Sequence, residues 1–103
     1  MRVRRFGRSY AHPLIVLIAF QKQECSLRFG FSASRAVGKA VQRNRAKRIL
    51  KVVIADLVEK ITPGWDIMLF ARKPIINASF YEIKTAVNAL LSRANLMVLD
   101  DVR

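Results

Sequence analysis

The sequence predicts an α+β fold, because its apolar residues repeat with two different periods along one short chain. Three segments are β-branched, aromatic or alternating, as strands are, and two others repeat apolar residues every three to four positions, as amphipathic helices do. A chain of 103 residues with 52% hydrophobic content can bury one compact core. We therefore expect one domain over residues 1–103.

The first part of the chain is expected to supply two strands. Residues 1–8 are basic and predict an N-terminal arm or a lead into a strand. Leu14–Phe20 follows Pro13 and is rich in β-branched residues, which predicts a largely buried strand. Leu27–Ser32 alternates apolar with small or polar residues, which predicts a strand with one solvated face. The polar turn Gln21–Ser26 between these two strands favours an antiparallel hairpin.

The second part is expected to supply two helices around a third strand. The period changes to near 3.6 over Lys39–Ile61, which predicts a helix with one packing face and one basic face, and Thr62–Gly64 should end it. Trp65–Ala71 is apolar at nearly every position and predicts a central strand. Ser79–Glu82 has the spacing of a capping box, where a second helix should begin. The tail Leu96–Leu99 fits either a short strand or a frayed end.

The net charge of +12 indicates a polyanionic partner. Residues 1–51 contain 13 Lys and Arg against the single acid Glu24, whereas residues 52–103 contain six of each sign. This asymmetry favours nucleic acid over the alternatives, an anionic membrane surface or a solvated basic face. The longest apolar run, Leu14–Phe20, is too short to span a bilayer, and the single cysteine, Cys25, excludes an internal disulfide, so a reducing cytoplasm is expected.

The sequence offers no catalytic or metal centre that we can assemble. His12 is the only histidine and lies beside Pro13 before a predicted strand, where we expect a structural or RNA-contacting role instead of catalysis. One His and one Cys are too few for a Cys/His metal cluster. Asp56 and Glu59 lie three residues apart on the predicted helix, where solvated charges are the simpler interpretation. We expect no catalytic residue, no metal ligand and no small-molecule substrate.

Residues 32–51 instead concentrate groups that bind phosphate. The hydroxyls of Ser32 and Ser34 lie at the end of the second predicted strand, and the following helix carries Arg and Lys on successive turns. Arg43, Lys47 and Lys51 repeat every four residues, about 6 Å per step, which is close to the phosphate spacing along a nucleic acid strand. No acid lies in this stretch, whereas a merely soluble helix would intersperse Glu.

Three ordered segments resemble one known family. Phe31–Arg35 with Gly38–Arg48 is similar to the signature of the bacterial ribonuclease P protein component, whose hallmark is an Arg-Asn-Arg helix. Gly7–Pro13 resembles the lead into the family's first strand, and Phe70–Pro74 resembles the end of its last one. The resemblance covers roughly residues 6–94.

This resemblance implies a small mixed sheet of three to four strands packed by helices, with a left-handed βαβ crossover around the Arg-Asn-Arg helix. It implies a protein subunit that binds a catalytic RNA and the 5′ leader of precursor tRNA, with magnesium held by the RNA. Together with the basic ladder, it predicts these RNA-binding residues: Ser32, Ser34, Arg35, Lys39, Arg43, Asn44, Arg45, Lys47, Arg48 and Lys51. The candidate leader cleft comprises His12, Val16 and Ile18.

The sequence departs from the family at its start and in the candidate cleft. The family's usual additional N-terminal helix is expected to be missing, because the chain begins only six residues before Gly7. Val16 and Ile18 are aliphatic where the family often has an aromatic residue, so weaker base stacking is expected. A ribosomal or other structural RNA-binding protein and a stand-alone nuclease are the competing interpretations.

Overall fold

The computed structural model describes residues 7–98 and confirms the α+β class. The elements are β1 Gly7–Ala11, β2 Ile15–Gln21, β3 Leu27–Ala33, α1 Ala40–Leu57, β4 Trp65–Ala71 and α2 Phe80–Arg93, with short 3-10 turns at Val58–Lys60 and Lys73–Asn77. The strands form one mixed sheet in the order β1-β2-β4-β3. β2 is antiparallel to both β1 and β4, whereas β3 is parallel to β4.

The predicted central position of β4 is confirmed, but the predicted hairpin between β2 and β3 is wrong. β4 lies between these two strands and pairs with both along its whole length, from Trp65 to Ala71. The reason is burial: a strand that is apolar at nearly every position is most stable with neighbours on both edges. The six-residue turn Gln21–Ser26 therefore separates two strands that do not pair with each other.

The helix α1 connects the parallel strands β3 and β4, as a parallel pair requires. It ends at Leu57, earlier than predicted, and a single 3-10 turn carries the chain to Ile61. The handedness of this crossover stays a prediction. At the start of the chain, Gly7 and Arg8 belong to β1 instead of an arm, and the rest of the predicted arm lies outside the described residues.

The hydrophobic core lies between one face of the sheet and the two helices. Alternate residues of β2 and β4 are almost fully buried on this face: Ile15, Leu17, Ala19, Ile67, Leu69 and Ala71. α1 contributes Ala46, Leu50, Val53, Ile54 and Leu57, and α2 contributes Ile83, Ala86, Val87, Leu90 and Leu91. These residues form one cluster, so sheet and helices share a single core in a two-layer arrangement.

The two helices begin in different ways. The predicted capping box of α2 is confirmed: Glu82 N–H donates to Ser79 Oγ at 3.1 Å, and Ser79 N–H donates to Glu82 Oε1 at 2.8 Å. At α1 the N–H of Lys39 donates to the Gln42 side chain at 2.9 Å. Gly38, with φ of 155°, makes room for this contact, since a Cβ there would overlap the Gln42 amide oxygen.

The tail after α2 is tied to the end of α1. Leu96 is fully buried, and its carbonyl accepts from Thr62 N–H at 2.7 Å. Met97 forms an isolated antiparallel bridge with Ile61, and Val98 N–H donates to the Lys60 carbonyl at 2.6 Å. Up to Val98 the tail thus forms a single bridge, closer to the short strand than to the frayed end, and Leu99 lies outside the described residues.

A charged cluster joins β3, β4 and the turn between β2 and β3. Arg28 donates to both oxygens of Asp66, from Nε at 3.1 Å and from Nη2 at 2.8 Å, and Lys22 Nζ donates to Oδ1 at 2.7 Å. The hydrogen bonds from Arg28 and then Lys22 stabilise the carboxylate and lower the pKa of Asp66 from 3.8 to about 2.

The lowered pKa of Asp66 predicts a specific loss of stability in acid. Between pH 3.8 and about 2 the unfolded chain takes up a proton at Asp66 that the folded chain does not, so the cluster's contribution is present above this range and disappears as the pH falls through it. We expect Asp66→Asn to lower the free energy of unfolding in urea at pH 6, and to differ much less from the wild type at pH 2. Glu59→Gln, at an exposed position, is the control. A pH-independent difference for Asp66→Asn would contradict this assignment.

Gly38→Ala should destabilise the start of α1 by about 1–2 kcal/mol, because alanine is strained at positive φ and its Cβ would displace the Gln42 amide. Urea unfolding of Gly38→Ala, Gln42→Ala and the double variant would measure this. The two effects should be less than additive, because both remove the hydrogen bond to Lys39 N–H. Full additivity would show that the Gln42 side chain is not involved.

Candidate nucleic-acid interface

The predicted basic side chains of α1 occupy its two flanks and its outer face. Asn44, Arg48 and Lys51 are exposed, whereas Arg43 and Lys47 are half-buried. Arg43 Nε is buried and has no hydrogen-bond partner within residues 7–98. The stem of Arg43 therefore packs against the protein while the residue remains partly accessible, which limits the number of orientations its guanidinium can adopt.

Arg45 lies on the opposite flank of α1 from Arg43, because two residues rotate a helix by about 200°. It borders a small depression between α1, the 3-10 turn after β4 and α2, lined by Gln42, Arg45, Ala46, Ile49, Ile75, Ile76, Ala78 and Ile83. The Arg-Asn-Arg triplet is thus presented over both flanks of one helix, with Asn44 on the exposed side near Arg48.

The residues before α1 form a tight turn at the end of β3. Ser34 accepts two backbone hydrogen bonds, from Ala36 N–H at its Oγ at 3.3 Å and from Val37 N–H at its carbonyl at 3.0 Å. Val37 is buried, whereas Arg35 and Lys39 are exposed. The turn therefore anchors itself through Val37 and keeps its two cations in solvent.

The face of the sheet opposite the core is called the open face here, because neither α1 nor α2 packs on it. Residues opposite each other in the register point to the same side, which gives three rows across the sheet. The rows are Ala11, Val16, Phe70 and Ser32; Ser9, Ile18, Met68 and Gly30; and Gly7, Phe20, Asp66 and Arg28. The predicted cleft residues Val16 and Ile18 do lie on this face, and both are half-buried.

Two glycines make the open face nearly flat, because they leave room for large neighbouring side chains to lie across the strands. A Cβ at Gly7 would lie 2.5 Å from the ring of Phe20, and a Cβ at Gly30 would overlap Met68 Sδ. Phe20 and Met68 therefore lie across the neighbouring strands β1 and β3. The result is a broad apolar surface of the kind on which a flat ring can stack.

Ser32 connects the open face with the basic surface of α1. It stands opposite Phe70 in the register, at the end of β3, which is an edge strand of the sheet. The chain passes from Ser32 through the turn at Ser34 into α1. The two predicted surfaces are therefore adjacent.

His12 is not brought together with Val16 and Ile18. It is half-buried between β1 and β2, and its Nδ1 accepts from Leu14 N–H at 3.0 Å. It borders a shallow groove between the β1–β2 connection and α2, lined by His12, Pro13, Leu14, Tyr81, Glu82, Thr85 and Ala86. The candidate cleft therefore consists of Val16 and Ile18 without His12.

Sequence reasoning missed several residues of the open face: Phe20, Arg28, Asp66, Met68 and Phe70. Phe20 could have been found, because it continues the period-two alternation of Val16 and Ile18. Phe70 and Met68 could not, because their position beside β2 depends on the pairing of β2 with β4.

No helix within residues 7–98 is long and apolar enough to cross a membrane. Across the same residues, no three His, Cys, Asp or Glu side chains come together in a way that could hold a metal ion.

Comparison with known proteins identifies the family. The profile of the family Ribonuclease P matches residues 1–95. A ribonuclease P protein component from Chloroflexus aurantiacus is 38% identical over 97 residues, covering 93% of this chain and 72% of the relative. A ribonuclease P protein component from Clostridioides difficile is 33% identical over 98 residues, covering 94% of this chain and 86% of the relative.

Solved structures agree with this assignment. The RNase P protein of Staphylococcus aureus superimposes with a TM-score of 0.81 at 26% identity, covering 93% of this chain and 88% of that one. The four-stranded mixed sheet with two helices is thus the ribonuclease P protein fold. The chain belongs to the bacterial ribonuclease P protein component family, and is the protein subunit of ribonuclease P, an endoribonuclease of tRNA processing.

Proposed function

We propose that this subunit binds the catalytic RNA of ribonuclease P through α1, binds the 5′ leader of precursor tRNA on the open face, and so assists removal of the leader by the RNA. The observation that carries this proposal is the adjacency of two different surfaces at Ser32. One surface is basic and helical, and the other is apolar and flat. A structured RNA and an unpaired strand require these two kinds of surface.

The assignment of α1 to the catalytic RNA is supported by its charge and its rigidity. Its apolar side is fixed in the core by residues such as Leu50 and Ile54. Arg43, Arg45 and Arg48 therefore project from a stable helix, on which guanidinium groups can bind phosphates bidentately. Family membership implies an RNA partner for the protein as a whole.

The assignment of the leader to the open face is supported by the chemistry of that face. Phe20, Phe70 and Met68 offer stacking surface, and Val16 and Ile18 fill the space between them. Aromatic stacking tolerates any base, which suits a strand whose sequence varies between tRNAs. The aliphatic residues at 16 and 18 should make stacking weaker there than at the two phenylalanines.

The proposal gives the chemical step and its magnesium ions to the RNA. Neutralisation of phosphates by fixed cations would let the RNA fold at lower magnesium concentrations. The cytoplasmic location and the single domain over residues 1–103 remain predictions.

Reconstitution with the matching catalytic RNA tests the main proposal. At low magnesium, where the RNA alone is inactive, added protein should restore cleavage of precursor tRNA at the mature 5′ end. Purified protein without RNA should not cleave. A folded protein that fails to stimulate the RNA would overturn the proposal, and co-sedimentation with ribosomal subunits instead would favour a structural RNA-binding role.

Salt dependence tests the α1 surface separately. The double variant Arg43→Ala with Arg48→Ala should weaken binding to the catalytic RNA, and should flatten the plot of log affinity against log salt by roughly one unit for each lost phosphate contact. Lys60→Ala with Lys84→Ala removes the same charge elsewhere and serves as the control. Unfolding curves would verify that both variants are folded. An unchanged slope for the α1 variant would refute this surface.

A further inference from the structure

Arg28 stands at one end of the open face and is held there by a fork of hydrogen bonds. Its Nε and Nη2 donate to the two oxygens of Asp66 at 3.1 and 2.8 Å. This side-on contact uses two of the five N–H groups of the guanidinium. The Arg28 side chain is nonetheless 74% exposed. One edge of the guanidinium is therefore fixed, and its other edge is presented to solvent.

Lys22 fixes the carboxylate that holds Arg28. Its Nζ lies 2.7 Å from Asp66 Oδ1, and its side chain is only 11% exposed. Asp66 is thus held between an almost buried cation and an exposed one. Two cations share the carboxylate of Asp66, so these three groups carry a net charge of +1, which the nearby carboxylate of Glu24 partly offsets.

The ion pair between Arg28 and Asp66 is exposed, so its contribution to stability does not explain why Arg28 is held in this orientation. Ion pairs in contact with solvent contribute little, because water screens them and ordering a long side chain costs entropy. The two hydrogen bonds to Asp66 fix the orientation of the guanidinium, and therefore of its remaining N–H groups, whereas an unpaired arginine side chain rotates freely. Preset, planar donors are what bidentate binding of a phosphate requires.

The position of Arg28 defines which phosphate it could reach. It shares a row with Phe20 and Asp66, beside the row that contains Met68. It lies four positions before Ser32, which corresponds to about 13 Å along β3. A strand that leaves the α1 surface at Ser32 and stacks on the apolar residues would bring a backbone phosphate to Arg28 only after crossing the open face.

We infer that Arg28, oriented by Asp66, binds a backbone phosphate of the precursor leader at the end of the open face distant from the start of α1, and so sets how much of a long leader the protein recognises. This inference rests on the proposed function. Arg28 is the binding residue, and Asp66 is a positioning residue that acts through it.

Leaders of increasing length test this inference. The affinity of the reconstituted complex for precursor tRNA should rise in steps as the leader grows from one to ten nucleotides. Arg28→Ala should match the wild type with short leaders and should lose the last step, weakening long-leader binding about five- to tenfold at low salt. Lys84→Ala, which removes the cation of the exposed pair with Asp56, is the matched control.

Two further variants test the fork itself. Arg28→Lys keeps the charge but cannot bind Asp66 and a phosphate in a planar fork, so it should restore only part of the lost step. Asp66→Asn keeps the side-chain size and should also reduce the last step, leaving short-leader binding unchanged. A purely structural role would affect short and long leaders alike. Urea unfolding of each variant would check its folding.

The outcomes separate this inference from the proposed function. If the wild type gains affinity with leader length and Arg28→Ala gains equally, the Arg28 inference is overturned and the leader site stands. A wild type that gains nothing with leader length would overturn both. An equal loss by Arg28→Ala at every leader length would assign Arg28 to the fold or to the catalytic RNA, and would also overturn the inference.

Discussion

The burial of β4 in the middle of the sheet is the constraint on which the other features depend. β4 pairs along its whole length with β2 on one side and β3 on the other. β3 precedes it in the chain and runs parallel to it, so the connection must cross the sheet, and α1 makes that crossing. The start of α1 is thereby fixed at the end of β3. The adjacency of the basic helix and the open face follows from this pairing.

The same pairing divides the strands into two chemically different faces. Ile15 and Leu17 of β2 and Leu69 of β4 face the helices and are fully buried. Their neighbours Val16 and Phe70 point the opposite way and are only half-buried. A sheet covered on both faces would have no surface to offer an unpaired strand. With the core completed on one face by two helices, the other is available for ligand contact.

Much of the fold could be predicted from the sequence, because its signals are local. The capping box at Ser79 and the helical period of α1 depend on neighbouring residues, and both predictions were correct to within a few positions. The prediction of a hairpin between β2 and β3 was wrong because strand pairing is not local. β4 pairs with both strands, and the sequences of β2 and β3 give no indication of this. The ladder of Arg43, Lys47 and Lys51 was found from its spacing and the Arg-Asn-Arg triplet from the resemblance to the family. The pairing of Arg28 with Asp66, in contrast, depends on the register of β3 with β4.

The two proposed surfaces would bind RNA by different physical means. Contacts of α1 with phosphates release counterions, so their strength falls steeply with salt. Stacking on Phe20 and Phe70 buries apolar surface and depends much less on ionic strength. The cluster of Arg28, Asp66 and Lys22 is the exception, because it brings a net positive charge to one end of the open face. The pairing of Arg28 with Asp66, which is also held by Lys22, keeps that charge at one end of the face. Stacking alone would let an RNA strand shift along the open face, because every base can stack on the same rings. A charge at one end of the face would bind one phosphate and so fix the position of the strand.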